Sequence, residues 1–332
     1  MNYLPVLSSV ERVVAKSRSV TFHPDQVRAA IAQWGHIIPA SMPWEHSCHF
    51  FDGSEKTVRW IFTLDVLNHS FWPDPGNPVW SVIYKDNIFS GYWGLAAALK
   101  RAQERGVPVA DPGFLASLDQ TALSEILSLH GPGHNASPSR EDIPMIDKRL
   151  QNLQEAGSIL LSELHGDITT LFHAASGSAA KLATLVASLF PSFRDEAAYG
   201  GGKVYFLKRA QIFASDVFAA FGGKQWGDFK DMDRLTAFAD YKLPQVLREL
   251  GIISYQPELA ARVLALAPLE AGSTEEVEIR AMTVWAVERL KEEFQRRGRT
   301  LTSPEIDSWL WGLGQMDEFR KTPYHRCRTI FY

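Results

Sequence analysis

The feature that most constrains this chain is a repeated helical grammar. Apolar residues recur at helical spacing, opened by Ser, Asp or Pro and closed by Gly, along most of the 332 residues. In FHPDQVRAAIAQWG, Pro24 suits a first helical turn, and Val27, Ala30, Ile31 and Trp34 follow at i, i+3, i+4 and i+7. SGYWGLAAALKRAQERG (90–106) predicts a helix with a Ser start and a Gly stop. DQTALSEILSLHG, IDKRLQNLQEAG and GSAAKLATLVASLFP repeat the pattern. The segment 274–298 has acids early and bases late, matching the helix dipole. SPEIDSWLWGLG opens with Ser303 as N-cap and Pro304 in the first turn. VWSVIY, KDN and IFSGYW read as one β-hairpin. Without alternating strand and helix units, a doubly wound sheet is excluded. The expectation is a mainly α fold with a small β-hairpin, forming one compact unit over 1–332. Two helical lobes, about 1–140 and 141–332 with the site between them, would use HGPGHNASPSREDIP (130–144) as the linker.

Several function classes fall away. Lys and Arg total 34 against 38 Asp and Glu, a net charge of −4. A protein that coats duplex nucleic acid needs a broad cationic surface, so no duplex partner is expected. No apolar run is long enough to cross a membrane, and MNYLPVLSSVERVV lacks a signal-peptide pattern, so the expected location is the cytoplasm. Cys48 and Cys327 are far apart and read as reduced thiols, which excludes a thiolate zinc site. His46 and His49 have no carboxylate partner at ligand spacing, so no metal and no cofactor is expected. GGGK at 200–203 lacks the strand and the Ser or Thr of a nucleotide P-loop, and no G-x-S-x-G elbow occurs.

The remaining candidates are carboxylates among aromatics. WIFTLDVLNHSFW interrupts an apolar run with Asp65, Asn68 and His69. A carboxylate there is costly unless paired, so Asp65 either buttresses a loop or faces a ligand. In EIDSWLWGLG, Asp307 and Trp311 share a helix face, and Asp307 meets either a buried cation or a polar ligand. The segment 192–218 carries Arg194, Asp195, Lys203, Lys208 and Arg209, either a solvated face or a cationic lip for a phosphate. GDFKDMDRLTAFADYKLPQ holds Asp231 and Asp240, and Asp231 is also a candidate cap for a helix starting near Met232. With 10 Trp, 19 Phe and 9 Tyr, flat pockets for a planar ligand are available.

These segments resemble a known family. WIFTLDVLNHSFW, SGYWGLAAALKRA, FPSFRDEA, VYFLKRAQIFASDVF, GDFKD, LTAFADYKLPQVLRELG, EVEIRAMTVWAVE and HRCRTIFY, in this order, are similar to the queuosine salvage proteins, from near Val20 to the last residue. The resemblance implies hydrolysis of the N-glycosidic bond of queuosine 5′-monophosphate, releasing the 7-deazaguanine base queuine for reuse in tRNA. It also implies a fold similar to the helix-hairpin-helix DNA glycosylases, with KRAQIFASDVFAAFGG, GKQWGDFKD and DYKLPQVLRELG as helix, turn and helix. A non-catalytic queuine-binding protein and a base-excision DNA glycosylase are the alternatives. The expected catalytic residues are Asp307, Asp231 and Asp240. The expected substrate contacts are Phe229 as a stacking face, His49, Lys203 and Lys208 as polar or phosphate contacts, and Asp195 and Asp65 as acceptors. The chain departs from the family at Ser308, where an aromatic is frequent, and at Gly312, where an acid is frequent. A monomer is expected.

Overall fold

The computed structural model describes residues 4–38, 44, 47–74, 76–131 and 143–332. Fourteen α-helices run along the described residues. The first six are α1 (Val6–Val14), α2 (Pro24–Trp34), α3 (Glu55–Val66), α4 (Gly91–Glu104), α5 (Pro112–Ser117) and α6 (Gln120–Leu127). After these come α7 (Ile146–Leu164), α8 (Thr169–Ala175), α9 (Ala179–Leu189) and α10 (Lys208–Ala220). The last four are α11 (Lys242–Glu249), α12 (Pro257–Leu264), α13 (Thr274–Arg296) and α14 (Ser303–Leu313). The fold is mainly α, as the helical grammar predicts.

Strands are short and occur in pairs. The expected hairpin is β2 (Ser81–Tyr84) against β3 (Asn87–Ser90), with Lys85 and Asp86 at positive φ in the two-residue turn. A second hairpin joins β4 (Glu196–Tyr199) to β5 (Gly202–Tyr205) through Gly200 and Gly201, both at positive φ. β1 (Val20–Phe22) pairs antiparallel with β6 (Ile253–Tyr255), and β7 (Pro268–Leu269) lies parallel to β8 (Arg326–Cys327). The sequence shows one hairpin because β1, β6, β7 and β8 run only two or three residues, and EAAY and GKVY lack the β-branched and aromatic run of VWSVIY.

Two apolar clusters form the core. One runs from Leu4 to Val284 and the other from Val20 to Phe319, so each draws on both ends of the chain. α13 joins them: Val277, Ala281 and Val284 enter the first, and Ile279, Met282, Ala286 and Leu290 the second. A helix buried on nearly every side must pair any charge it carries, and α13 carries Glu276, Glu278 and Arg280 into the interior. Beneath α3 the first cluster is aromatic, with Phe62 stacked on Phe193 at 5.5 Å and edge-on to Phe213 at 5.4 Å.

Three helix boundaries differ from the sequence reading, the first being α6, which ends at Leu127, short of Gly131. The stop at Gly157 is absent, and α7 continues to Leu164. A Cβ at Gly157 would lie 2.4 Å from the Ala116 nitrogen and 2.6 Å from the Pro112 carbonyl, so the glycine admits α5 at close range. The N-cap of α14 is Thr302, one residue earlier than Ser303. Its side chain and that of Glu305 form a reciprocal capping box. Replacing Gly157 by Ala should therefore destabilise the protein by about 1–3 kcal/mol through overpacking. Denaturant unfolding measures the loss, and an unchanged midpoint would contradict this account of the α5–α7 contact.

Candidate active site

The site grows from the buried C-terminal end of α3, where four carbonyls lack partners within the helix. Two arginines serve the last of them and the turn that follows. Arg209 donates from Nη1 to the carbonyls of Asp65 at 3.0 Å and Val66 at 2.6 Å, and from Nη2 to that of Ser192. Arg149 donates to the carbonyls of Leu67, His69 (2.6 Å), Ser70 (3.2 Å) and Pro144 (2.8 Å). Burial lowers both guanidinium pKa values, to about 9 for Arg149 and about 10 for Arg209. Held this way, the turn presents Asp65, fully buried, with Asn68 donating to its Oδ1 at 3.4 Å.

The opposite wall is the start of α10. Leu207 is left-handed at φ 52°, and Lys208 opens the helix. Asp195 fixes this entry: its carbonyl accepts the amides of Phe206 and Leu207, and its Oδ2 accepts the Lys208 amide at 3.1 Å. The Asp195 carboxylate is held in turn by Arg280 of α13, with Nη1 to Oδ1 at 2.8 Å and Nη2 to Oδ2 at 2.6 Å, both side chains being buried. Arg280 Nε also donates to the Ala239 carbonyl at 3.1 Å. The neighbouring Phe238 amide donates to Asp307 Oδ2 at 2.7 Å, and Asp240 Oδ1 accepts the amides of Lys242 and Leu243. One guanidinium thus sets both the Lys208 backbone and the segment carrying Asp240 and holding Asp307.

The Lys208 ammonium, 3.4 Å from the Asn68 carbonyl, lies in the fields of Asp65, Asp240 and Asp307. Asp216, two turns further along α10, feels the same ammonium. Aromatic residues line the adjoining wall. Trp44 stacks on His49 at 3.8 Å, and His49 Nε2 is 2.9 Å from Tyr92 Oη. Trp93 lies 5.5 Å from His49 and meets Trp311 of α14 edge-on at 6.1 Å. Burial, then the charges of Asp216 and Asp65, push the Tyr92 phenol well up.

Burial is the first cause of every large shift here. It raises Asp65 well above the carboxylate range, with Asp216 adding repulsion, and raises Asp307, with Asp240 adding repulsion. Asp216 is pushed up to about 7 by burial against the opposing pull of Lys208. Lys208 itself is lowered by burial. Acids kept protonated near neutrality can donate a proton, and a carboxylate that ionises on ligand binding can stabilise positive charge.

Of the residues expected from sequence, the structure brings Asp307, Asp240, Asp65 and Lys208 together, with His49 in the aromatic wall. Four others are placed differently. Asp195 is an acceptor, but for Arg280 and the Lys208 amide. Asp231 does not cap the turn at Met232. Its Oδ2 accepts from Ser178 Oγ and its Oδ1 from the Ala179 amide, both at 2.6 Å, at the start of α9. Phe229 is buried, its ring stacked against Phe172 at 6.1 Å. Lys203 stands on β5, mostly exposed and paired with Glu196 at 2.9 Å. It lines a surface cleft of about 210 Å³ with Arg12 and Lys16, apart from the Lys208 ammonium. His46 lies outside the described residues, as does most of the 130–144 segment. Sequence reading missed Asp216, Tyr92 and Trp93. The available signal for Asp216 was a lone acid two turns after Lys208, in the largely apolar second half of the helix.

A testable consequence follows from the raised acid. Unfolded, Asp216 ionises near 3.8, whereas in the fold it holds its proton to about 7. The native state binds the extra proton, so this group's contribution to stability falls as pH rises between those values. Asp216→Asn should therefore melt higher than the parent, with a gap that widens from pH 5 to 7 and levels above about 8. Paired thermal melts across that range check it, and a gap independent of pH would contradict it.

No helix among the described residues is long and apolar enough to cross a membrane. The family model described as "Queuosine salvage protein" matches residues 48–332. The chain is 42% identical over 330 residues to a queuosine 5′-phosphate N-glycosylase/hydrolase of Sphaerobacter thermophilus, covering 99% of this chain and 98% of that protein. It is 32% identical to the Mus musculus protein of the same name, covering 98% and 97%, and 31% identical to that of Schizosaccharomyces pombe, covering 97% and 100%. An acid and lysine centre beneath an aromatic wall, and similarity along nearly the whole chain, agree: the chain belongs to the queuosine salvage protein family.

Proposed function

We propose that this protein hydrolyses the N-glycosidic bond of queuosine 5′-phosphate, releasing queuine, a 7-deazaguanine base. The observation that carries the reading is the cluster of Asp65, Asp216, Asp240, Asp307 and Lys208 beside Tyr92, Trp93 and Trp311, in a chain whose relatives are named for that activity. Cleavage places positive charge on the sugar and negative charge on the departing base. Water supplies hydroxide to the anomeric carbon and a proton to the base. A 7-deazaguanine has carbon at position 7, so the site has no N7 to protonate. Stabilising the sugar cation then carries more of the barrier.

Asp307 is the acid best placed for that work. Phe238 engages its Oδ2, and among the described residues none donates to its Oδ1 and no cation lies within 4 Å of it. Asp240 keeps one oxygen on the α11 amides. Aromatic faces suit a planar base, which stacks on such rings in enzymes that read isolated bases. The phosphate serves to orient the sugar. The protein acts in the cytoplasm as a monomer, with no duplex nucleic acid as partner. The charge balance favours a nucleotide over DNA.

A second reading has one observation in its favour. The family frequently has an acid where this chain has Gly312, an exposed position one residue after Trp311, so a side chain available to the family is missing there. On this reading the chain retains queuine without hydrolysing the nucleotide. Incubating pure protein with queuosine 5′-phosphate and assaying free queuine separates the two. Multiple turnovers, with the nucleotide cleaved in preference to the nucleoside, are expected. Tight retention of queuine with no release from the nucleotide would overturn the hydrolase reading.

A further inference from the structure

Two buried carboxylates compete for Arg280. Glu276 lies one helical turn before it on α13, the i, i+4 spacing at which an acid and an arginine ordinarily pair. Asp195 comes from a distant part of the chain, yet it takes both Nη groups, at 2.8 and 2.6 Å. The facing Glu276 oxygen, Oε1, stays 3.7 Å from Nε, and Nε donates instead to the Ala239 carbonyl at 3.1 Å. The local pair is forgone for the one that orders the site.

Tyr332 accounts for that outcome. Its hydroxyl donates to the same Oε1 of Glu276 at 2.7 Å, and the Gly272 amide donates to Oε2 at 3.1 Å, so both oxygens of Glu276 are engaged without Arg280. His325 Nε2, at 3.4 Å, and the Cys327 thiol also face the hydroxyl. The Tyr332 and Phe206 ring centres lie 4.4 and 3.9 Å from the guanidinium carbon and confine it. The main-chain oxygen of Tyr332 accepts from the Ser70 amide at 2.9 Å and the Ser70 hydroxyl at 3.2 Å. Ser70, left-handed at φ 43°, belongs to the turn after α3 that carries Asn68. One residue therefore touches both that turn and the charge network of α13.

We infer that Tyr332 is a positioning residue for the hydrolysis: by occupying the Glu276 oxygen that faces Arg280, its hydroxyl keeps Arg280 on Asp195 and Ala239. The kinetic consequence rests on the proposed function. A buried carboxylate oxygen stripped of its donor is costly, and Arg280 is the cation within 4 Å that can satisfy it. An Arg280 drawn to Glu276 leaves the Ala239 carbonyl and tilts its fork on Asp195. The segment that carries Asp240 and holds Asp307 through the Phe238 amide then loses its anchor, and the Lys208 amide loses a fixed acceptor. Tyr332 does this without touching the substrate.

The test is Tyr332→Phe, which keeps the ring and the main-chain contacts and removes one oxygen. In turnover of queuosine 5′-phosphate, kcat should fall about ten- to hundredfold while KM stays within about threefold of the parent. Adding Glu276→Gln removes the charge that competes for Arg280 and should return kcat to within about threefold of the parent. A merely structural loss would be compounded, not repaired, by removing a second buried charge. Crystal structures of the parent and Tyr332→Phe read the same event without turnover: in the variant, Arg280 Nε should lie within hydrogen-bond distance of Glu276 and away from the Ala239 carbonyl. An unchanged kcat, a loss that Glu276→Gln does not repair, an unmoved Arg280, or a double variant that fails to fold would overturn the inference. A parent chain that cleaves no nucleotide removes the hydrolase reading, and the position of Arg280 in the variant then decides this one by itself.

Discussion

The site depends above all on the buried pair between Arg280 and Asp195. Its two short hydrogen bonds, 2.8 and 2.6 Å, join α13 to the entry of α10. Through the Asp195 oxygen the pair sets the Lys208 amide, and through the Ala239 carbonyl it sets the segment that holds Asp307. Arg280 is further enclosed by the Phe206 and Tyr332 rings, 3.9 and 4.4 Å away. Glu276 lies at 3.7 Å and itself accepts from Tyr332 Oη at 2.7 Å. A buried pair of this kind offers little net stability, because desolvation opposes the attraction, but removing one partner strands the other charge. Its value here is registry: two walls of the site, distant in sequence, are positioned by a single planar group.

A division of labour among charged residues follows. Arg209 donates to the last carbonyls of α3 and Arg149 to those of the turn that follows, and Asp231 gives both oxygens to the start of α9. These groups complete helix termini that would otherwise be buried with bare backbone. Asp65, Asp216 and Asp307 do the opposite. They remain incompletely paired in an apolar setting that opposes their ionisation, which is the pattern of groups kept for a ligand at a cost in stability.

Much of this was legible in the sequence, because helix periodicity and end signals are local. The helices around Val27, Leu95 and Val277, the hairpin at 81–90 and the grouping of Asp65, Asp307 and Asp240 as candidates came from spacing and from family motifs. What escaped was tertiary. Gly157 reads as a helix stop because the chain cannot show that α5 passes within 2.4 Å of its missing Cβ. Asp231 reads as a local cap, but its partners are Ser178 and Ala179, more than fifty residues earlier. Asp195 and Lys203 both belong to a charge-rich stretch, and only the packing of α13 shows that one is clamped while the other faces solvent. Asp216 was passed over because an acid within a helix is ordinarily solvated, and its neighbour Asp65 is distant in sequence.

We propose that Asp307 is held for chemistry on the substrate and not for the fold. Its Oδ2 accepts a backbone amide, an interaction that an Asn oxygen can reproduce, and burial disfavours its charge. The direct measurement is Asp307→Asn, assayed for turnover of queuosine 5′-phosphate beside thermal melts with and without queuine. The variant should show a melting temperature equal to or above that of the parent, a further rise with queuine, and turnover lower by about two to three orders of magnitude. A variant that turns over normally, or one that loses activity only in step with a lowered melting temperature, would contradict it.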